Sequence, residues 1–369
     1  MATSVGGFAG GVEVARALFG VVAPVLAREL PGLRYAAARV GGGSEVLGFD
    51  TERSVDHDWG PRLELFLRRD ELLLHRERIR RVLSERLPAS VAGWSTNFRM
   101  SEDPLDPVGF MAPAEGPVNH RVEVLDTGAW AVALLGVDAV GGEPTVLEWL
   151  AMPQQRLAEV TGGAVFHDSV GELTLVRSRL EWYPDEVWRY LLACQWRRVG
   201  QEEAFVGRCA EVGDELGASV VAARLVRELM RLCLLIERRY APYSKWLGSA
   251  FGRLELAERV GPSLRGAVVA RDQRGREGHL CDAYEAVGAA QNGLGLAEPV
   301  DPTRRRFHNR PYLVLGADRF ARALAATLTD PQLRALPLTG AVDQWADSTD
   351  LLAHPAAIRA AMEALDGTG

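Results

Sequence analysis

Lysine is almost missing from this chain: of its 42 basic residues, Lys245 is the only lysine and the other 41 are arginines. A genome biased toward GC-rich codons turns lysine into arginine wherever the two are interchangeable. The one survivor therefore either sits where a compact ammonium is needed or stands at a neutral position, and the sequence leaves both open. Cysteine is sparse as well. Cys194, Cys209, Cys233 and Cys281 are scattered with no CxxC pair, a spacing that disfavours a zinc site and points to buried thiols in a reducing cytosol. A cytoplasmic location is the expectation. No apolar run approaches the roughly 18 residues needed to span a bilayer, and the N-terminus MATSVGGFAGG lacks the basic segment of a secretory signal. An excess of positive charge is also absent. At a net charge of −7 the surface offers no footprint for a duplex or a long RNA, so a nucleic-acid partner is disfavoured. The basic run Arg76–Arg81 reads as one solvated face of a helix.

What is present is an ordinary globular composition, 47% hydrophobic and 25% charged over 369 residues, long enough for more than one domain. Residues 12–29 carry apolar positions at helical spacing around a proline that kinks or ends the helix. Arg34 to Val40 is a short small-residue strand running into Gly41. Val55 to Leu67 reads as a long strand interrupted near Gly60-Pro61, Asp70 to Leu87 as a charged helix closed by Pro88, 93–118 as a loop, and His120 to Leu125 as an alternating strand. The pattern predicts a small α/β domain over 1–150. From Tyr183-Pro184-Asp185-Glu186, with its proline and acids at a helix start, residues 183–296 read as mostly helical. This gives a helical substrate- or nucleotide-binding domain over 151–300. Residues 301–369, with a strand at Tyr312–Leu315, a helix around 318–328 and a last helix near Pro355, form an extension of undecided packing. No internal repeat is evident.

The chemistry concentrates in one stretch. Gly41-Gly42-Gly43-Ser44 is followed, after eleven residues, by Asp56-His57-Asp58 at the start of an apolar run. On a strand Asp56 and Asp58 would project from one face and could share hard cations such as Mg²⁺ or Mn²⁺. A two-metal arrangement needs about three carboxylates, and Glu123 in the alternating run RVEV is the best-placed third. Gly43 lets a backbone approach phosphates closely, and the Ser44 hydroxyl and amide can donate to them. His57 should face the other way, as a core or hydrogen-bonded histidine. The same glycines could be taken for a dinucleotide-binding loop. That motif needs a helix immediately after the glycines and an acid about 20 residues on, which the Asp-His-Asp pair opening a strand fits poorly.

The ordered set Gly43-Ser44, Asp56-His57-Asp58 and Glu123 resembles the fingerprint of the polymerase-beta-like nucleotidyltransferase superfamily. Over essentially its whole length the chain further resembles the bacterial family DUF4037, through GGGSEVLGFDTERSVDHDWGPRL, WSTNFR, HRVEV, YPDEVW, LACQWRRVGQEEAFVGRCAEVGDELG and RRYAPYSKWLGSAF. The resemblance implies a fold of the α/β (α+β) nucleotidyltransferase class followed by a mostly α-helical bundle. It carries the catalytic, metal-holding carboxylates onto Asp56, Asp58 and Glu123 and the phosphate-gripping turn onto Gly43 and Ser44. Lys245, in Tyr243-Ser244-Lys245-Trp246, is the candidate to meet the triphosphate from the helical domain. The spacer departs from the superfamily: it carries Glu45, Asp50 and Glu52, and only Arg53 supplies the expected basic residue.

The implied activity is transfer of a nucleoside monophosphate, AMP from ATP or another NTP, to a hydroxyl of a small-molecule acceptor with release of pyrophosphate. The alternatives are a catalytically silent nucleotide-binding or interaction module with the same fold, and AMP transfer onto a protein. Glu202, Glu203, Asp214 and Glu215 lie where a general base could stand, but capping and surface roles are favoured for each. The same holds for Arg224, Arg227, Arg231 and Arg238, and for Asp343, Asp347 and Asp350. Neither the acceptor nor the oligomeric state is written in the sequence.

Overall fold

The computed structural model describes residues 8–104 and 108–366. The first seven residues, part of the N-terminus read above as free of a secretory signal, lie outside the described residues. So do 105–107 of the stretch read as a loop, and the last three residues. The chain divides into two compact units, Met1–Pro144 with Arg156–Glu181, and Thr145–Gln155 with Trp182–Gly369.

The first unit is built on a four-stranded sheet of β1 (Ala36–Arg39), β2 (Arg62–Leu67), β3 (Arg121–Asp126) and β4 (Ala164–Asp168), in the order β3-β2-β1-β4. β1 runs antiparallel to both its neighbours, and β2 runs parallel to β3. A parallel pair needs a crossover, and α2 (Arg69–Arg86) supplies it. Strand alternation then sorts the side chains. Ala37, Leu63, Leu65, Leu67, Val122 and Val124 pack into one core with Ile79 and Leu83 of α2 and with Leu18, Val22 and Leu26 of α1 (Gly11–Glu29). Ala36, Ala38, Val40 and Phe66 pack on the other face against Leu173, and Phe66 meets Trp130 of α3 (Thr127–Leu135) edge-on at 5.1 Å. Glu64 and Glu123 are direct register partners, so both belong to the face turned away from α1 and α2. Helix α1 continues through Pro24 to Glu29.

The strand expected from Val55 is shorter than its sequence pattern. Residues Glu52–Asp56 form a 3₁₀ turn, Asp58 is left-handed at φ 45°, and Gly60 stands at φ 132°. None of these dihedrals continues a ladder, and Trp59, buried, donates its indole N–H to Asp50 at 3.2 Å. Pairing starts only at Arg62. Asp56 and Asp58 therefore do not share a strand face. The stretch 93–118 is not wholly loop either, because Phe98–Met100 pairs with Gly109–Met111.

The second unit is helical. It contains α4 (Asp185–Glu202), α5 (Glu215–Ile236), α6 (Ser244–Phe251), α7 (Leu256–Val269), α8 (Gln273–Gly293) and α9 (Asp318–Ala325). Pro184 is the N-cap of α4, with Asp185 and Glu186 in its first turn. Trp196 of α4 stacks on Phe320 of α9 at 4.5 Å. The buried Glu203 carboxylate accepts from the amides of Leu315, Gly316 and Ala317. Those three bonds tie the segment beyond residue 300 to the helices of this unit. Cys194, Cys233 and Cys281 are buried and unpaired, and burial pushes the Cys233 thiol up to about 12. Among the described residues no helix is long and apolar enough to cross a membrane.

Candidate functional site

The candidate site lies at the end of the sheet where β1 stops and β2 begins. Because these strands are antiparallel neighbours, the turn leaving β1 and the segment entering β2 come to the same sheet edge. Parallel β3 also begins there, with Arg121 opposite Arg62. Gly41 leaves β1 at φ 82°, and its amide donates to the Glu159 carbonyl at 2.8 Å. Gly43 stands at φ 147°, and a Cβ there would lie 2.5 Å from Arg39 Nη2 and 2.6 Å from Glu45 Oε2, so the position is closed to any side chain. The Ser44 carbonyl accepts from the Phe49 amide at 2.8 Å. Its half-buried hydroxyl has no hydrogen-bond partner among the described residues.

Beneath this turn lies a buried charge cluster. Arg39, 1% exposed, pairs with Glu45 at 2.7 Å and with Glu64 at 2.9 Å, and donates to the carbonyls of Val40 and Gly42. Burial works against the Arg39 charge, but the two carboxylates outweigh it and hold its pKa above the ordinary value. Burial raises the Glu64 pKa despite Arg39 and the Val40 amide, and nearby Glu123 adds to the rise. A second guanidinium, that of Arg62, stands 3.8 Å from Glu45. The cluster shapes the turn, since Arg39 grips the Gly42 carbonyl while Glu45 packs under Gly43.

The acidic segment sits beside it. Asp58 is engaged on both sides: its carboxylate accepts from Arg121 Nη2 at 3.0 Å and from the Gly109 amide at 3.2 Å, while its carbonyl accepts from Arg62. Its left-handed backbone is one that aspartate tolerates better than most residues. Asp56 is exposed at the end of the 3₁₀ turn and lies 2.9 Å from His57 Nδ1, so His57 is an exposed neighbour of Asp56 rather than a core residue. Glu123 is exposed on β3, and Arg53 is exposed on the 3₁₀ turn. Lys245 belongs to the second unit, at the start of α6, with its ammonium 4.9 Å from the Trp246 ring centroid.

The structure thus links Gly43, Ser44, Asp58 and Glu123 through Arg39, Glu45, Glu64, Arg62 and Arg121, while Asp56 and Arg53 stand on the exposed turn beside them. Among the described residues no three of His, Cys, Asp and Glu stand close enough together to hold a metal ion. Asp58 is paired with Arg121 instead. As arranged, the donor set does not fit a divalent cation.

The five linking residues were not singled out as site candidates by motif spacing. The signal was present for two of them: a glutamate inside LELFL and an arginine closing AAAR are charges inside short apolar strands, and such charges need partners. The spacer acids have structural employment. Glu45 holds Arg39, and Asp50 accepts from the Gly11 amide at the start of α1 and from Trp59. In the second unit Asp214 is the N-cap of α5, Glu202 pairs with Arg224, and Glu215 with the buried Arg276. Arg227 pairs with Glu228 and Asp347. Arg231 is buried and donates to the Asp343 carbonyl, and Arg238 lies 4.2 Å over the Trp188 ring.

Residues 149–247 match the family described as Domain of unknown function (DUF4037). No curated protein matches the chain significantly. Among solved structures the chain is similar to a nucleotidyltransferase-like protein from Exiguobacterium sibiricum 255-15, at 11% identity over 86% of this chain and 89% of that one. The TM-score is 0.28, too low to establish a common fold.

Proposed function

We propose that the first unit is a nucleotidyltransferase that moves a nucleoside monophosphate, from ATP or another NTP, onto a hydroxyl of a small molecule and releases pyrophosphate. The observation that carries this reading is topological. A glycine turn closed to side chains, a free serine hydroxyl and the Asp56–Asp58 segment meet at one sheet edge, next to the start of the strand that bears Glu123. In the proposed reaction the acceptor oxygen attacks the α-phosphorus, the bond to the bridging oxygen breaks, and the hydroxyl proton passes to water.

This chain's own groups serve three parts of that task. The amides of Gly43 and Ser44 and the Ser44 hydroxyl donate to phosphate oxygens. Arg62 and Arg121 supply fixed positive charge where charge develops on the phosphates. Asp56, Asp58 and Glu123 are the acids of the site, and Arg53 is the further cation of this unit assigned to the triphosphate. The three acids as arranged do not form a site for Mg²⁺ or Mn²⁺, and no step of the proposed reaction is routed through either ion.

Asp58→Asn tests the proposal, because asparagine tolerates the left-handed backbone while removing the charge. Pyrophosphate release from ATP should fall about a hundredfold or more, with the thermal midpoint of unfolding little changed. Wild-type turnover in this variant would rule the reading out. The pairing of Asp58 with Arg121 favours one second reading, a nucleotide-binding module without catalysis. Calorimetric ATP binding with no pyrophosphate released across a set of small alcohols and metal ions would select it.

A further inference from the structure

Among the described residues β3 is an edge strand, paired only with β2, and its open side borders a groove of about 810 Å³ whose opposite wall is α2. Arg76, Arg80 and Arg81 line that wall. Arg76 and Arg81 have no side-chain hydrogen bond or ion pair among the described residues. Arg80 has an ion pair only with Glu77, at 3.7 Å and largely exposed, which contributes little. The basic run that reads in sequence as a solvated helix face therefore faces a concavity bounded by a free strand edge.

His120 fixes one end of the groove. Its Nδ1 accepts from the Val122 amide at 3.1 Å, so Nε2 carries the proton and donates to the Arg80 carbonyl at 3.0 Å. Val122 spends its amide on this ring rather than on β2. Its carbonyl, and the amide and carbonyl of Val124 two residues on, consequently point to the open edge, since alternate residues of a strand present their backbone groups to the same side.

We propose that this groove is a docking site for an extended acidic segment of a protein partner, which adds to β3 as a fifth strand. The backbone of the segment takes the free groups of Val122 and Val124. Its side chains alternate, so Asp or Glu at every second position meets Arg76, Arg80 and Arg81 across the groove. β3 is six residues long, so the added strand spans roughly 20 Å at about 3.3 Å per residue. The complementarity favours a peptide over a nucleic acid. A strand edge offers backbone partners that a phosphodiester chain cannot use.

The test uses the full chain and three labelled hexapeptides read by fluorescence anisotropy: Glu-Val-Glu-Val-Glu-Val, its Lys-Val counterpart, and the Glu-Val peptide N-methylated at alternate residues. Wild type should bind the first peptide at least tenfold more tightly than either of the others. The doubly substituted R76E/R81E protein should lose that affinity by tenfold or more. Both arginines are exposed, and an unchanged far-ultraviolet spectrum confirms that the variant is folded. Equal binding of the N-methylated peptide overturns strand addition. Undiminished binding by R76E/R81E, no binding of the acidic peptide, or preferential capture of a six-nucleotide RNA overturns the proposal as a whole.

Discussion

Arg39 joins β1, β2 and the glycine turn of the first unit through one guanidinium. It is buried between two carboxylates and two carbonyls, and removing one member of such a group leaves uncompensated charge in the interior. Arg39→Met should cost about 3–5 kcal/mol, read as a lower urea midpoint at unchanged m-value. Gly43→Ala asks a neighbouring position a different question. Its added methyl would collide with the Arg39 guanidinium and the Glu45 carboxylate in a left-handed conformation, and strain of this kind costs about 1–3 kcal/mol. The substitution should weaken ATP binding along with stability, whereas Asp58→Asn should spare stability. The two variants thus separate the shape of the turn from the charge beside it.

At the scale of elements, the sequence announced those formed by regular periodicity. α1, α2, β1 and β3 lie within a few residues of where apolar spacing puts them, and α4 starts at the Pro-Asp-Glu signal. The misreading falls on Asp56 to Pro61. Its alternation is compatible with a strand, but Trp59 is drawn inward to Asp50 and Gly60 lies against Met111, and long-range contacts of that sort leave no periodic trace. The meeting of the glycine turn and the acidic segment was thus legible, while the arginines that stand between them were not. A pH prediction belongs to the β3–α2 pair. Burial lowers the His120 pKa, so the folded state holds that proton less tightly than the unfolded chain does. The resulting stability is fully present above the unfolded value of about 6.5 and is lost as pH falls through the lowered folded value. Wild type should therefore lose stability relative to His120→Gln between pH 7.5 and pH 5, which paired urea titrations would measure as a narrowing gap.

On the scale of the whole molecule, the two units are not consecutive in the chain. Residues 145–155 belong to the second, and the chain then returns to the first for 156–181. A fragment ending at residue 150 lacks β4, which leaves the fully buried strand β1 with an open edge and invites association. That fragment should aggregate in size-exclusion chromatography, whereas one ending at residue 181 should elute as a monomeric species with cooperative unfolding.

The same interleaving sets an order of events on the ribosome. When the eleven residues 145–155 emerge, their own unit has not been made, and the 26 residues that finish the first unit are still to come. Synthesis at about 5–20 residues per second leaves β1 half-paired for about 5–20 s between the emergence of β2 and that of β4. The alanine-rich composition of that strand, low in the bulky β-formers that drive intermolecular pairing, suits a polypeptide that must wait for its last strand.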